Sequence, residues 1–491
     1  MNRSTISLLI TFFVITFTVF ETIPLIDVNT SSHSGSGKVM ADNSISSPAF
    51  TGKEMGDSDP STALTEKARD DSDPSTALSE NTREDSDPST ALTENARDDS
   101  DPSSTLSNSD RIMKEGFVIA RNGSFYLDGS PFRFAGTNAY YLPNYEKLDP
   151  GVVDRAFDAF EDAGITVVRM WAFYDGYDCG YSRQDSSENV IQTKPGSYSE
   201  SALRDLDRVI AKGKERGIRF ILPFINYWNE LGGICQYNTW AGAKNPERNM
   251  MFFLNHPDTQ QWFKDYISML LNRVNTATGI AYKDEPAIFA WQIMNEGRNP
   301  GEDPMILRNW YAGMARYIKS IAPNHMVSTG EEGFDEGTPT AYSVKEYSNT
   351  YALRAGEGTS YIRNISIPEI DFGSAHWYPP EFGFGHEVNE NMLRAQRAWI
   401  HDHAKIAQEE GKPFVLGEYG FPAWGDERMI AIYGDLWELA ESIELNGSLL
   451  WQLTADGTKC FEFGGNICFP GGREDRELFD SFRRHVSQVA R

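Results

Sequence analysis

Positive charge is scarce in this 491-residue chain: 45 Lys and Arg stand against 71 Asp and Glu, a formal net of −26. That balance disfavours nucleic acid or an anionic membrane surface as a partner. Cysteine is also sparse. The four present, Cys179, Cys235, Cys460 and Cys468, lack zinc-site spacing. There is no glycine-rich phosphate loop, and no apolar run reaches the length of a comfortable bilayer span. The nearest is residues 6–20 behind Arg3, which suits the apolar core of a secretory leader and is short for a membrane helix. No small-x-small cleavage signature follows it, so the alternative to secretion is an uncleaved anchor, the one circumstance that would bring in a membrane. Sequons at Asn29, Asn122, Asn364 and Asn446 are compatible with export.

The acid is unevenly spread. Residues 57–110 hold 15 acidic and 4 basic side chains, so 11 of the 26 net negative charges fall there. The stretch is four copies of a 14-residue unit starting at Asp57, Asp71, Asp85 and Asp99. That period is too short for the common solenoids. Each copy has one Leu and at most two Ala, too little apolar surface to offset the entropy of ordering. We expect a leader or anchor over 1–25, a disordered Ser/Asp/Pro-rich linker over 26–112 and a folded domain over 113–491. The repeats are either a flexible stalk or an expansion that only adds solubility.

The texture changes at Phe117. Two apolar stretches, 117–121 and 124–127, are separated by Asn122-Gly123 and followed by Asp128-Gly129, which predicts a β-hairpin. Short apolar runs follow at 132–137, 166–171, 219–225, 288–294, 326–329, 370–375, 414–417 and 448–451. Amphipathic helical patterns lie among them at 152–163, 198–215, 259–275, 306–321, 389–410 and 427–445, with a last one at 474–489. Eight such units predict an α/β fold, a (β/α)8 TIM barrel with an N-terminal hairpin. The long segments 174–192, 228–256 and 338–367 follow the second, third and fifth strands and so fall on the face where such barrels carry their active sites.

Two of the apolar runs end in a glutamate. Glu296 closes residues 287–296 and Glu418 closes 412–418. Glu is depleted in strands and costly to bury unpaired, but at a barrel mouth two carboxylates facing one glycosidic bond make a hydrolase. The other strand ends are polar or aromatic as well: Tyr140 after the first, Arg169 and Trp171 on the second, Trp228 after the third, Asn295 and Arg298 around Glu296, Glu331 and Glu332 after the fifth, His376 and Tyr378 after the sixth, and Trp451 on the eighth. An Arg beside one carboxylate would keep it ionised, a Tyr and a His would orient it, Asn295 could bond a sugar 2-hydroxyl, and Trp451 offers a flat floor for a ring. The 11 Trp residues divide between such platforms and the core.

Over about 115–490 the chain resembles glycoside hydrolase family 5 of clan A, and within it the plant and fungal endo-β-1,4-mannanases. The likeness rests on Gly136-Thr-Asn-Ala-Tyr-Tyr, Val168-Arg169-Met-Trp-Ala-Phe, Asn295-Glu296-Gly-Arg298, Gly330-Glu-Glu-Gly-Phe334, His376-Trp-Tyr378, Gly417-Glu418-Tyr-Gly and Leu450-Trp451-Gln. It implies retaining endo-hydrolysis of β-1,4-mannosidic linkages, with Glu296 as acid/base and Glu418 as nucleophile. Arg169, Asn295, His376 and Tyr378 would support them, Trp451 would floor the −1 subsite, and Tyr140, Trp171, Trp228 and Arg298 would meet substrate. Two positions depart from the family pattern: Gly297 stands where Pro is usual, and Trp377 and Pro379-Pro380 flank Tyr378.

The rival readings are another family 5 activity, cellulase or exo-β-glucanase, and a non-catalytic carbohydrate-binding barrel, which would have lost a carboxylate. Arg298 and the Glu-Gly-Phe after the fifth strand favour mannan. His401-Asp-His403 is a poor metal pair, since i and i+2 do not share a helix face. The expected partner is β-mannan, with no metal and no cofactor, acting as a monomer. The expected disulfides are Cys179–Cys235, joining the loops after the second and third strands, and Cys460–Cys468, closing a short loop after the eighth.

Overall fold

The computed structural model describes residues 115–180, 189–336, 356–421, 427–455, 467–469 and 473–490. The expected leader and acidic linker lie outside the described residues, as does Cys460 and with it the expected Cys460–Cys468 bridge. The chain opens with a three-stranded antiparallel sheet, β1 (Val118–Arg121), β2 (Ser124–Leu127) and β3 (Ser130–Phe132). Both connections are two-residue turns whose central residues have positive φ: Asn122 and Gly123 at 49° and 74°, Asp128 and Gly129 at 49° and 83°. A type I′ hairpin turn requires this, and Asn-Gly and Asp-Gly adopt it readily. The predicted hairpin is therefore present, extended by one strand.

Barrel strands β4 (Phe134–Asn138) and β5 (Val167–Arg169) follow. A ribbon of β6 (Gln192–Lys194) and β7 (Ser197–Tyr198) decorates the loop after β5. The barrel continues with β8 (Arg219–Pro223), β9 (Ile288–Gln292), β10 (Met326–Ser328), β11 (Gly373–Trp377), β12 (Phe414–Tyr419) and β13 (Gly447–Leu450). A short parallel pair, β14 (Leu453–Ala455) and β15 (Ile467–Phe469), lies beyond it. The eight barrel strands are all parallel, in the order β10-β9-β8-β5-β4-β13-β12-β11. Nearly every one of their residues is buried, as expected when helices cover one face and packed side chains the other.

The two ends of that order meet through a few contacts. The Asp371 N–H donates to Val327 O at 2.8 Å and its Oδ2 accepts from the Val327 N–H at 2.7 Å. At the mouth, the His376 N–H donates to Glu332 O at 2.9 Å. This explains why the sixth barrel strand, expected at 370–375, runs Gly373–Trp377: Asp371 is used in closing the seam.

Helix starts follow local chemistry. Ser199, Asp303 and Asn389 each accept a hydrogen bond from a backbone N–H in the first turn of the helix they precede. Helix Pro257–Asn272 begins with proline at its first position, where no N–H is needed. Two helices within the 228–256 loop, Gly233–Trp240 and Met250–Asn255, were not foreseen. The N-terminal sheet caps the barrel floor. Phe125 is fully buried there, with ring centroids 5.1, 5.6 and 6.2 Å from Phe289, Phe372 and Phe134.

Candidate active site

The expected residues converge at the C-terminal mouth. Glu418 lies inside β12, its position in the ladder opposite His376 on β11. Glu296 comes just after β9 in a left-handed conformation, φ 52°, which costs a non-glycine residue roughly 1–3 kcal/mol and clusters at functional sites. Its N–H is held by Gly330 O at 2.9 Å. Gly330 permits that approach: at φ 80°, a Cβ there would fall 2.3 Å from Met294 O.

The nearest ligand atoms of Glu296, Glu418 and His376 all lie within 4.8 Å of one another. This closeness suits a retaining carboxylate pair, at about 5–5.5 Å, and leaves no room for the water that an inverting pair holds across about 6.5–9.5 Å. The three atoms are also close enough to share a cation, but Arg169 already meets Glu418 Oε1 at 2.5 Å, so an ion there would sit against a guanidinium.

Arg169 is the hub. Fully buried, it donates from Nη1 to Glu418 Oε1 and, at 3.1 Å, to Asn138 Oδ1. Its Nε donates to Gln292 Oε1 and its Nη2 to Asn295 Oδ1, both at 2.6 Å. Asn295 in turn donates to Asn226 Oδ1 at 3.0 Å. Tyr378 Oη donates to Glu418 Oε2 at 2.5 Å. Glu296 has different company. Trp228 Nε1–H donates to its Oε2 at 2.5 Å, and His376 Nδ1 stands 2.5 Å from its Oε1. Burial pushes Glu296 up to about 7. Burial pushes Glu418 up too, but the Arg169 guanidinium and the Tyr378 hydroxyl oppose it. Burial drives His376 down to about 3, so its imidazole is neutral. The Arg169 guanidinium in contact with Glu418 favours the negative charge there, and the proton on Glu296.

Aromatic rings line one side. Tyr140 stacks on Trp451 with centroids 5.6 Å apart and planes 7° from parallel, and Trp171 lies 6.0 Å from Trp451 beneath the Arg169 guanidinium. Arg298 faces inward. Its Nε and Nη2 grip Glu332 at 2.6 Å each, Nη1 reaches Glu357 at 3.2 Å, and its guanidinium sits 5.0 Å from the Trp228 ring and 4.9 Å from Phe334. In this geometry it holds the indole that touches Glu296. Of the supporting groups, Gln292 was not singled out from sequence, while Asn138, Asn226 and Glu332 were legible only as polar residues at strand ends. The available signal was polar side chains on, or just beyond, strands that are buried on both faces.

Both departures from the family pattern have physical reasons. A Cβ on Gly297 would fall 2.3 Å from the buried Tyr311 hydroxyl. Trp377 points away from the mouth, against Phe382, Phe384 and Trp399, and donates to Gln396. Cys179 and Cys235 are bonded with Cα atoms 6.0 Å apart, as expected, and join the loop after β5 to helix Gly233–Trp240. His401 is exposed, while His403 is buried with its ring nitrogens at Trp399 O and Gly333 O, so the two do not converge on an ion.

A parallel eight-stranded barrel with two buried, differently partnered carboxylates at its mouth defines a glycoside hydrolase. The chain belongs to glycoside hydrolase family 5: a family model described as beta-mannosidase-like matches residues 115–431. Mannan endo-1,4-beta-mannosidase 1 of Solanum lycopersicum is 35% identical over 361 residues, covering 71% of this chain and 86% of that one. A putative mannan endo-1,4-beta-mannosidase of Arabidopsis thaliana is 35% identical over 76% of this chain and 91% of its own length. Among solved structures, the endo-beta-1,4-mannanase of Thermotoga petrophila superposes with a TM-score of 0.64 at 32% identity, covering 73% of this chain and 77% of that one. An endo-1,4-beta-mannanase of Rhizomucor miehei gives 0.63 at 29%, covering 76% and 99%.

Proposed function

We propose that the protein is a retaining endo-β-1,4-mannanase acting on mannan, galactomannan or glucomannan. Glu418 attacks the anomeric carbon while Glu296 gives its proton to the departing glycosidic oxygen. Glu296 then takes a proton from the water that releases the glycosyl-enzyme. The observation that carries this is the asymmetry of the pair: a guanidinium and a phenol hydroxyl on Glu418, an indole N–H and a neutral imidazole on Glu296. In this reading Asn295, anchored by Arg169, meets the 2-hydroxyl and Trp451 floors the ring. Preference for mannan is supported by the names of the relatives and tested by product analysis on galactomannan, glucomannan and carboxymethylcellulose. Oligosaccharides of several lengths from the first two, and none from the third, are expected. Glucose units released from cellulose, or single sugars only, would overturn the reading.

We also propose that the enzyme is secreted, the catalytic domain being 113–491. The Cys179–Cys235 bond supports an oxidising compartment. No helix among the described residues is long and apolar enough to cross a membrane.

A further inference from the structure

We propose that Asn122, at the turn between β1 and β2, is a modification site carrying an N-linked oligosaccharide, and that the sequons at Asn364 and Asn446 stay unmodified in the folded enzyme. The inference rests on the reading of the chain as exported. In the transfer, Asn Nδ2 attacks C1 of an oligosaccharide carried on a polyprenyl pyrophosphate. The N–C1 bond forms, the C1–O bond to phosphate breaks, the polyprenyl pyrophosphate leaves and Nδ2 loses one proton. The modified amide keeps a single N–H and must have open space beyond it.

Asn364 meets neither condition. It is fully buried, and its Nδ2 donates to Glu331 Oε2 at 2.9 Å and to Thr359 Oγ1 at 3.1 Å. A sugar there would remove one of these bonds and have no volume to enter. Asn446 is partly buried and serves as a dock: its Nδ2 donates to Gly123 O at 3.1 Å and its Oδ1 accepts from the Phe414 N–H at 2.9 Å. That bond seats the hairpin turn that carries Asn122, together with the Gly123 N–H on Gly411 O at 2.8 Å. A chain modified at Asn446 would lose the seat of its barrel floor.

Asn122 is exposed and makes no side-chain hydrogen bond among the described residues. At φ 49° it sits in the exposed turn and itself borders a hollow of about 210 Å³ together with Arg121, Pro368, Ile370 and Lys412, which leaves room for the first sugar. Ser124, the hydroxyl residue of the sequon, pairs with Arg121 across the turn. The site is at the N-terminal end of the barrel strands, opposite Glu296 and Glu418, so an oligosaccharide there does not obstruct a polysaccharide at the mouth.

The test is expression of the full chain in a eukaryotic secretory host, once with its own N-terminus and once behind a heterologous cleavable leader. Glycopeptides are then mapped by mass spectrometry after enzymatic deglycosylation in heavy-oxygen water. The Asn122 peptide should carry the label, and the Asn364 and Asn446 peptides should be recovered without it. Ser124→Ala, which keeps Asn122 in its turn, and Asn122→Asp should both lose the Asn122 label with no change in rate on galactomannan. Label at Asn122 only behind the heterologous leader would uphold the site and overturn the export reading. An unlabelled Asn122 in both arms, or label on Asn364 or Asn446 in active folded protein, would overturn the inference, whatever the activity on mannan.

Discussion

Replacing Trp228 with Phe should move the alkaline limb of the pH–rate profile upward. The indole N–H donates to Glu296 Oε2 at 2.5 Å, and that bond favours the ionised carboxylate, opposing the burial that lifts Glu296 to about 7. In the proposed mechanism Glu296 works protonated in the first step, so activity falls as pH rises through its pKa. Taking away a donor to the charged form raises that pKa. A hydrogen bond to a charged group contributes about 1.5–3 kcal/mol, and one pKa unit corresponds to about 1.4 kcal/mol. Trp228 is only partly buried, so the low end applies, an upward shift of about one unit. Phe is chosen because it keeps a ring under the Arg298 guanidinium, 5.0 Å from the indole, and so preserves the Arg298–Glu332 pair. The assay is kcat/KM on a soluble galactomannan between pH 4 and pH 9, which reports the free enzyme. The plateau should fall, because Glu296 loses an orienting contact, while the alkaline limb moves up. An alkaline limb that stays in place or moves to lower pH would refute the assignment of the proton to Glu296.

Other outcomes follow from the same geometry. Glu418→Gln should abolish turnover. Glu296→Ala should lose about 10²–10⁴-fold on mannan yet form a glycosyl-enzyme from activated aryl glycosides, with azide giving a β-mannosyl azide; the same β-product from Glu418→Ala instead would reverse the roles. Phe125→Ala should destabilise by about 3–5 kcal/mol, because a fully buried ring among Phe134, Phe289 and Phe372 is lost, read as a lower Tm with the rate at low temperature retained. Glu331, buried against Thr329 and Asn364 with no cation beside it among the described residues and lifted to about 7 by burial, makes stability fall as pH rises. Its folded pKa lies above its unfolded value, so the contribution is full below about 4.5 and lost as pH passes 7, on the order of 3 kcal/mol. Glu331→Gln should therefore show a smaller drop in Tm from pH 5 to pH 8 than the natural chain, and equal drops would count against it. A chain beginning at Arg111 should keep both Tm and rate on galactomannan, since the first sheet starts at Val118.

The strands and their order were legible because each barrel strand is an apolar run bounded by turn chemistry, and both hairpin turns announced themselves as Asn-Gly and Asp-Gly. Both glutamates were legible because a carboxylate at the end of such a run has no packing rationale. Three things were less so. Asn138 and Gln292 give Arg169 two of its acceptors, but they come from strands 31 and 123 residues away in sequence, and nothing local marks a polar strand residue as part of one web. Glu331 and Glu332 are neighbours with identical side chains, yet Glu332 turns to Arg298 and Glu331 to Asn364, a division that depends on which face the mouth loop presents. The short helices Gly233–Trp240 and Met250–Asn255 arise in a segment punctuated by Gly232, Gly233 and Arg248 at positive φ, a pattern that reads as loop until tertiary contacts are known.

Two glutamates at similar depth end with different partners because the chain holds them differently. Glu418 is part of a strand, so its backbone position is fixed by the ladder, and its carboxylate faces Arg169 directly. Glu296 lies past the end of its strand, and the residue before it, Asn295, takes the second arm of the same guanidinium. Arg169 therefore lends its charge by direct contact to Glu418, and on the side of Glu296 it holds only the preceding residue, Asn295. A lysine at 169 could not reproduce this, because a point charge lacks the planar fork that reaches Glu418, Asn295 and Gln292 in fixed directions. In the proposed mechanism, the difference between the attacking and the donating carboxylate is thus set largely by the geometry of a single buried side chain on the second barrel strand.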